Sequence, residues 1–200
     1  MALVLSLILV SMTVMRAGAQ QAVVRVVPSS YTVPDVGMVF SVNVTVDGVE
    51  DLFGYEFKLY YPNNLLSKIN VTEGPFLKTG GVPTLFSTVK FTDNYNATHG
   101  LVNILCIRAA GDAPGVNGSG TLATIAFRSI STDGPRILHL ADVALSDPNP
   151  AAIPFTLEDG EVTVLPELSL GLTLPLLITS TLAVIALGKK VNHRGIFHIV

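Results

Sequence analysis

The central part of the chain alternates between apolar and polar residues with a period of two. Between positions 40 and 46, phenylalanine and valine occupy the even positions, and Ser41, Asn43 and Thr45 occupy the odd ones. Successive side chains of a β-strand point to opposite faces of the sheet. The stretch 38–47 is therefore predicted to be a strand with one buried face and one face in water, and Asn43 lies on the wet face.

A second alternating stretch follows Asp47-Gly48, a dipeptide typical of tight hairpin turns. Over residues 53–61, the aromatic residues and leucine at odd positions are predicted to point inward, with Glu56, Lys58 and Tyr60 outward. Seven further strands are predicted at 22–27, 66–71, 85–91, 101–109, 122–130, 137–145 and 161–164, separated by clusters of Gly, Pro, Asn and Asp. The expected fold class is all-β, a sandwich or barrel of about nine strands.

Two apolar blocks flank this region. Residues 1–19 end in Ala17-Gly18-Ala19, the small-x-small pattern of a signal peptide. Residues 168–188 contain no charge, which at 1.5 Å per residue corresponds to roughly 30 Å, one bilayer core. The sequence thus predicts a signal peptide at 1–19, a globular domain at 20–166, a transmembrane helix at 167–188 and a basic cytoplasmic tail at 189–200. By the positive-inside rule the domain faces the extracellular side of a cell membrane.

The distribution of charged residues limits the classes of molecule that the domain can bind. The chain is 49% hydrophobic and only 14% charged, but the domain alone has eight basic and fourteen acidic residues. Nucleic-acid binders need a basic surface that displaces counterions from phosphate. Here Lys and Arg cluster only in the tail, which excludes nucleic acid as a partner.

Residues for catalysis are sparse. Cys106 is the single cysteine, and its apolar surroundings in the sequence predict a buried thiol. His99 and His139 are the histidines before position 167, and they do not have the spacing of zinc ligands. Asp93 and Asp112 are predicted to be solvated turn residues, and Gly115 to Gly120 a tight hairpin. We therefore expect no catalytic residues, no metal and no cofactor.

The stretch 101–108 is unusual because both of its faces are apolar. Leu101, Leu105 and Ile107 lie on one face, and the residues at 102, 104 and 106 lie on the other. One face is expected to meet the opposite sheet. The other is either covered by loops or exposed as a protein interface.

Four stretches of the domain have features of one known family. They are GMVFSVNVTVDGVEDLFGYEFKLYYPNNLL at 37–66, GVNGSGTLATIAF at 115–127, LADVALSD at 140–147 and DGEVTV at 159–164. In this order they resemble cohesin domains over residues 22–165. The sequence departs from the family at Pro62-Asn63, where an Asp-Pro is usual, and it has one cohesin-like unit and no dockerin-like calcium loop.

The resemblance implies a nine-stranded jelly-roll sandwich related to carbohydrate-binding modules. It also implies a non-catalytic role in protein–protein interaction, with a calcium-loaded dockerin as partner. By the same resemblance, one sheet face forms the partner-binding site, with the residues Glu56, Lys58, Tyr60, Leu101, Asn103 and Leu105. Pro166-Glu167-Leu168 ahead of the apolar block is similar to the Pro-Glu-Phe sorting tails of archaeal surface proteins.

Two other functions stay open from the sequence. A carbohydrate-binding module would use exposed aromatic rings, and the chain has no Trp, although Tyr31, Tyr60 and Tyr95 could substitute in part. A structural envelope component would be glycosylated on its outer face, and four Asn-x-Ser/Thr sequons are present. The candidate glycosylation sites are Asn43, Asn70, Asn96 and Asn117.

Overall fold

The computed structural model describes residues 21–134 and 137–166, in which eleven strands form two sheets. The strands are β1 Ala22–Val27, β2 Ser30–Val33, β3 Val39–Leu52, β4 Gly54–Pro62, β5 Leu66–Glu73, β6 Thr84–Thr92, β7 His99–Arg108, β8 Val116–Ser129, β9 Ile137–Ser146, β10 Phe155–Glu158 and β11 Gly160–Val164. A short 3₁₀ helix, Phe76–Gly81, connects β5 to β6. The predicted all-β sandwich is confirmed.

The two sheets have five and six strands. The five-stranded sheet has the order β10-β1-β3-β8-β5, and the six-stranded sheet has the order β2-β11-β9-β4-β7-β6. Most neighbours are antiparallel, while β10 pairs parallel to β1 and β2 pairs parallel to β11. Because consecutive strands often lie in different sheets, the chain crosses repeatedly between the two layers.

The core lies between the sheets and follows the predicted alternation. In β3 the even positions from 40 to 46 are buried, and in β4 the odd positions from 55 to 61 are buried. Tyr61 of β4 packs against Phe127 of β8 with ring centroids 4.8 Å apart, which joins the two layers. The period of two was therefore sufficient to assign the inward faces of these strands.

Two predicted turns are wrong. Asp47-Gly48 does not form a hairpin, because β3 continues to Leu52 and pairs with β8 through two irregularities in register. The φ angle of Gly48 is 65°, so glycine accommodates the irregular backbone there without ending the strand. The expected hairpin at 115–120 is likewise the first half of β8. The long pairing of β3 with β8 extends both strands through these turn-like sequences.

The strand count is eleven rather than about nine. The two additional strands, β2 and β10, have four residues each, too few for an alternating pattern to be recognised. Each pairs parallel to a strand distant in sequence, so tertiary pairing defines it.

The predicted signal peptide at 1–19, the transmembrane helix at 167–188 and the tail at 189–200 lie outside the described residues. Among the residues that are described, none of the helical segments has the length and apolar character needed to cross a membrane.

Candidate functional site

The outward face of the six-stranded sheet brings the predicted site residues together. The antiparallel pairing of β4 with β7 sets Glu56 opposite Leu105, Lys58 opposite Asn103 and Tyr60 opposite Leu101. Cross-strand partners share one face of a sheet, and this face is opposite to the one that contains the buried Phe57. The six residues thus form one contiguous patch, although 41 to 49 positions separate the cross-strand partners in sequence.

Two of the six contribute little surface. The side chain of Leu101 is only 2% exposed, and Asn103 is 9% exposed. Leu101 is therefore a packing residue, which corrects its assignment as a contact residue. The sequence could not show this, because neighbouring strands and loops at this end of the sheet cover an outward-pointing side chain.

The edge strand β6 adds residues that the sequence prediction missed. Its register sets Leu85 opposite Ile107, Ser87 opposite Leu105 and Lys90 opposite Asn103. Leu85 is 64% exposed, and Leu105 and Ile107 are 39% and 38% exposed. Leu85, Leu105 and Ile107 form an exposed strip that we call the apolar strip, and no loop of the described residues covers it.

A shallow cavity lies beside the apolar strip. It has a volume of about 240 Å³, and its lining includes Leu105 and Ile107 of β7, Gly54 and Glu56 of β4, and Ala144 of β9. A small apolar side chain from a binding partner would fit such a depression. Gly54 leaves space in the cavity, because a Cβ added there would lie only 3.1 Å from the hydroxyl of Ser146, another lining residue.

The other end of the same face is aromatic. The ring of Tyr60 lies 5.4 Å from that of Tyr95 and 6.4 Å from that of His139. The ammonium group of Lys90 lies 5.1 Å from the centre of the Tyr95 ring. We call Tyr60, Tyr95 and His139 the aromatic cluster. The pairing of β9 with β4 explains why His139 belongs to it, since His139 is directly opposite Tyr60.

Charged groups separate the two ends. Lys58 forms an ion pair with Asp142 at 2.8 Å, and this hydrogen bond raises the pKa of Lys58. Burial and then the neighbouring Tyr95 raise the pKa of Tyr60, so its hydroxyl is neutral at physiological pH. The centre of the face therefore offers a cation, a carboxylate and a phenol, all suited to hydrogen bonding.

The side chains with catalytic chemistry are held in structural hydrogen bonds. The Cys106 thiol donates to Glu73, and burial followed by that carboxylate raises its pKa to about 12. His139 Nδ1 lies 2.7 Å from Asp159 Oδ2, and the hydrogen bonds of the described residues bring no serine or cysteine to this pair. Residues 21–134 and 137–166 contain no group of three His, Cys, Asp or Glu side chains that could hold a metal ion.

The loop carboxylate Asp93 is not the solvated turn residue that was expected. Its side chain accepts hydrogen bonds from the Tyr61 hydroxyl at 2.6 Å, the Ser67 hydroxyl at 3.1 Å and the Lys68 amide at 2.8 Å. These donors come from β4 and β5, which belong to different sheets. Asp93 therefore holds the loop after β6 against both layers.

The four sequons lie in different environments. Asn70, Asn96 and Asn117 are exposed, and Asn43 is half-buried on β3. The side-chain Oδ1 of Asn43 accepts a hydrogen bond from the Thr124 hydroxyl at 2.7 Å. In contrast to the six-stranded sheet, the outward face around Asn43 is polar, with Ser41 and Thr45 on the same strand.

Comparison with known proteins identifies the family. A family model described as "Cohesin domain" matches residues 24–164, more than two thirds of the chain. The chain belongs to the cohesin domain family. Cohesin domains are non-catalytic binding modules, in agreement with the predicted absence of an active site. Among curated proteins, none matches this chain.

Solved structures of cohesins share the fold. The third cohesin of ScaC from Acetivibrio cellulolyticus, solved with the ScaB dockerin, has a TM-score of 0.58 and 16% identity over 72% of this chain and 99% of its own. A non-cellulosomal cohesin from the hyperthermophilic archaeon Archaeoglobus fulgidus has a TM-score of 0.54 and 17% identity over 72% and 91%. The seventh ScaB type I cohesin from Pseudobacteroides cellulosolvens has a TM-score of 0.54 and 21% identity over 75% and 96%.

Proposed function

We propose that this chain is a membrane-anchored cell-surface cohesin that binds a protein partner, a calcium-loaded dockerin-type module, through the outward face of its six-stranded sheet. The observation that supports this most directly is the apolar strip. Three large aliphatic side chains are exposed side by side on a sheet face, with a shallow cavity beside them and hydrogen-bonding groups at their edge. Protein interfaces combine an apolar centre with a polar rim in the same way.

The solved relatives support a dockerin as the partner of this face. The Acetivibrio cellulolyticus ScaC cohesin was solved with a dockerin, as was the Coh-OlpA cohesin from Clostridium thermocellum. The predicted patch of Glu56, Lys58, Tyr60, Asn103 and Leu105 lies on the face that we assign to the partner. We infer that Lys58 and Tyr60 supply polar contacts and that Leu105 supplies the apolar centre.

The test uses capture followed by affinity measurement. The full-length chain in detergent is used to capture proteins from envelope and secreted fractions of the source organism, with calcium or with chelator, and captured proteins are identified by mass spectrometry. We expect a protein with a duplicated calcium loop that chelator releases. Its affinity is then measured by calorimetry against the wild type and two variants.

The first variant, Leu105→Asp, places a charge in the apolar strip. We expect at least a tenfold loss of affinity, because buried interface centres contribute roughly 1.4 kcal/mol or more per side chain. The control, Ser41→Asp, introduces the same charge at an exposed position of the five-stranded sheet. Equal affinities for the two variants would contradict the assignment of the face.

A second pair of substitutions tests the polar part of the patch. The double variant Tyr60→Ala, Asn103→Asp removes the Tyr60 ring and replaces the Asn103 amide with a carboxylate. Asn103 lies between Lys58 and Lys90 on the sheet. We expect weaker binding of the same partner. An unchanged affinity would limit the site to the apolar strip.

Carbohydrate binding is a second candidate, and the aromatic cluster favours it. Tyr95 is 44% exposed, and rings in this arrangement can stack on a sugar. Affinity electrophoresis in gels that contain envelope polysaccharide would show retardation that Tyr95→Ala abolishes and Leu85→Asp preserves. Retardation of neither the wild type nor the variants would remove this candidate.

The anchoring and the glycosylation are proposals that rest on the sequence. The signal peptide at 1–19 and the apolar block at 168–188 would place the domain outside the membrane. Extraction of membranes with alkaline carbonate should leave the full-length chain in the pellet. A chain truncated after Pro166 should be released. Release of both would contradict the anchor.

A further inference from the structure

The chain leaves the domain at one end of the sandwich, and four turns lie at the same end. The strand β11 runs antiparallel to β9 and leaves the domain at Leu165, whose amide donates to the Val33 carbonyl at 2.9 Å. The directions of the paired strands put the turns 34–38, 63–65, 93–98 and 130–134 on the same side. We call this side the exit end. The opposite side, with the irregular end of β3 at 47–53 and the segments 109–115 and 147–154, is the far end.

Exposed apolar side chains gather at the exit end. They come from the turn before β3, the turn after β8, the first residue of β9 and the residue after β11: Val36 at 37%, Met38 at 45%, Ile130 at 45%, Ile137 at 48% and Leu165 at 44% exposed. Hydrogen bonds and strand pairing hold these turns together, since the Ser129 amide donates to the Met38 carbonyl at 3.0 Å and Ile137 pairs with Glu161. We call these five residues the apolar rim.

The far end has the opposite character. None of the large hydrophobic residues in these three segments is exposed, and the segments contain five carboxylates: Asp47, Glu50, Asp51, Asp112 and Asp147. Single exposed apolar residues are ordinary on a protein surface, but five that come together in the turns of one end require an explanation. The turns of the exit end are therefore more apolar than the segments of the far end.

The chain length outside the domain limits where the exit end can be. Only Pro166 and Glu167 separate Leu165 from the charge-free block that begins at Leu168. Three residue steps span at most about 10 Å even when fully extended. If the block enters a bilayer, the apolar rim lies within the thickness of the headgroup layer.

We propose that the exit end rests on the membrane surface, with the apolar rim in contact with the lipid interface. This inference rests on the proposed anchoring of the chain by residues 168–188. Apolar side chains gain free energy when they leave water for the boundary between headgroups and acyl chains. Acidic and basic side chains both lie near the exit end, with Asp35 and Asp133 in its turns and the exposed Arg128 beside the last residue of β8, so the lipid surface used to test the docking is zwitterionic.

This orientation leaves the partner site accessible. The outward face of the six-stranded sheet runs from the exit end to the far end, so in this orientation it is roughly perpendicular to the membrane plane. Its aromatic cluster, which includes Tyr95 in the turn 93–98, is near the lipid, and the apolar strip is farther out. A partner would approach from the side rather than from above.

The test uses the absence of Trp from the chain. The full-length chain is prepared with one Trp at a time and reconstituted into phosphatidylcholine vesicles with brominated acyl chains, because bromine quenches Trp fluorescence by contact. The bromines lie near the headgroups for positions 36, 137 and 152, and near the chain ends for position 178, which is at the middle of the apolar block. The rim variants are Val36→Trp and Ile137→Trp. The far-end control is Ala152→Trp, at an exposed position, and the anchor control is Ile178→Trp, within the apolar block.

We expect quenching at positions 36, 137 and 178 and none at position 152. Quenching at 178 without quenching at 36 and 137 would overturn the docking of the exit end and leave the anchor intact. The absence of quenching at 178 would overturn both the anchor and the docking. Equal quenching at 152 and at the rim positions would overturn the proposed orientation. Adding Met38→Asn to the Ile137→Trp chain should reduce the quenching, since it removes an apolar neighbour from the rim.

Discussion

At the scale of single residues, buried polar groups hold the two sheets together. Glu73 of β5 accepts hydrogen bonds from Thr84 of β6 at 2.5 Å and from Cys106 of β7 at 3.4 Å, and it pairs with Lys78 at 2.8 Å. Burial alone would raise the pKa of Glu73, but these three donors outweigh burial and lower it. The ionised carboxylate is thus a structural group rather than a catalytic one.

Glu73 should make the free energy of unfolding depend on pH in the acidic range. Its pKa is lower in the folded than in the unfolded chain, so its contribution is complete above the ordinary value of 4.5 and is lost as the pH falls below it. We expect Glu73→Gln to destabilise the domain by about 1–3 kcal/mol near neutral pH and by less in acid. Urea titrations at about pH 7 and about pH 3 measure this difference. The exposed Glu161→Gln is the control, and a loss for Glu73→Gln that is equal at both pH values would contradict the prediction.

Cys106 should be inert in the folded chain. Its pKa of about 12 keeps the thiol protonated, and the side chain is buried. We expect a maleimide to label it slowly at mildly alkaline pH without denaturant and rapidly in concentrated urea. Mass spectrometry follows the label, and rapid labelling of the native chain would show that the thiol is accessible.

At the scale of elements, β4 shows how one strand serves both core and site. Its odd positions pack between the sheets, and its even positions lie on the outward face that we propose binds the partner. Gly100 of β7 permits the close approach of Tyr61, since an added Cβ would lie 2.2 Å from the ring. The strand pairing therefore depends on a residue with no side chain at that point.

Neighbouring substitutions on β4 should differ sharply. Phe57 has no exposed surface, so Phe57→Ala should cost roughly 3 to 5 kcal/mol of unfolding free energy. Lys58→Ala removes an ion pair at the surface, which solvent screens, and should cost far less than Phe57→Ala. Denaturant melts of both variants measure the two costs. Similar costs would mean that the assignment of the strand faces is wrong.

At the scale of the whole molecule, the two sheets share one core. Tyr55 of the six-stranded sheet donates to the Leu122 carbonyl of the five-stranded sheet at 2.6 Å, and Tyr61 packs on Phe127. Neither sheet can keep its inner face buried without the other. The domain is therefore one cooperative unit, with the proposed partner-binding face on one side and the apolar rim at one end.

Unfolding should accordingly occur in a single transition. Far-ultraviolet circular dichroism follows the strands, and near-ultraviolet dichroism follows the buried tyrosines, because the chain has no Trp. We expect the two signals to share one urea midpoint. Separate midpoints would indicate that one sheet persists after the other has unfolded.

The sequence by itself determined which residues of β3 and β4 face inward, because the pleat of a strand has a period of two and needs no partner to define it. It also indicated the family, since motifs in order along 22–165 are local features. Only the tertiary structure decided that β3 continues past Gly48, that Leu101 is buried, and that Leu85 joins Leu105 and Ile107. The apolar rim likewise combines turns that are up to about 130 positions apart. These features depend on which distant strands pair, and pairing results from packing two sheets around one core, which no local pattern specifies.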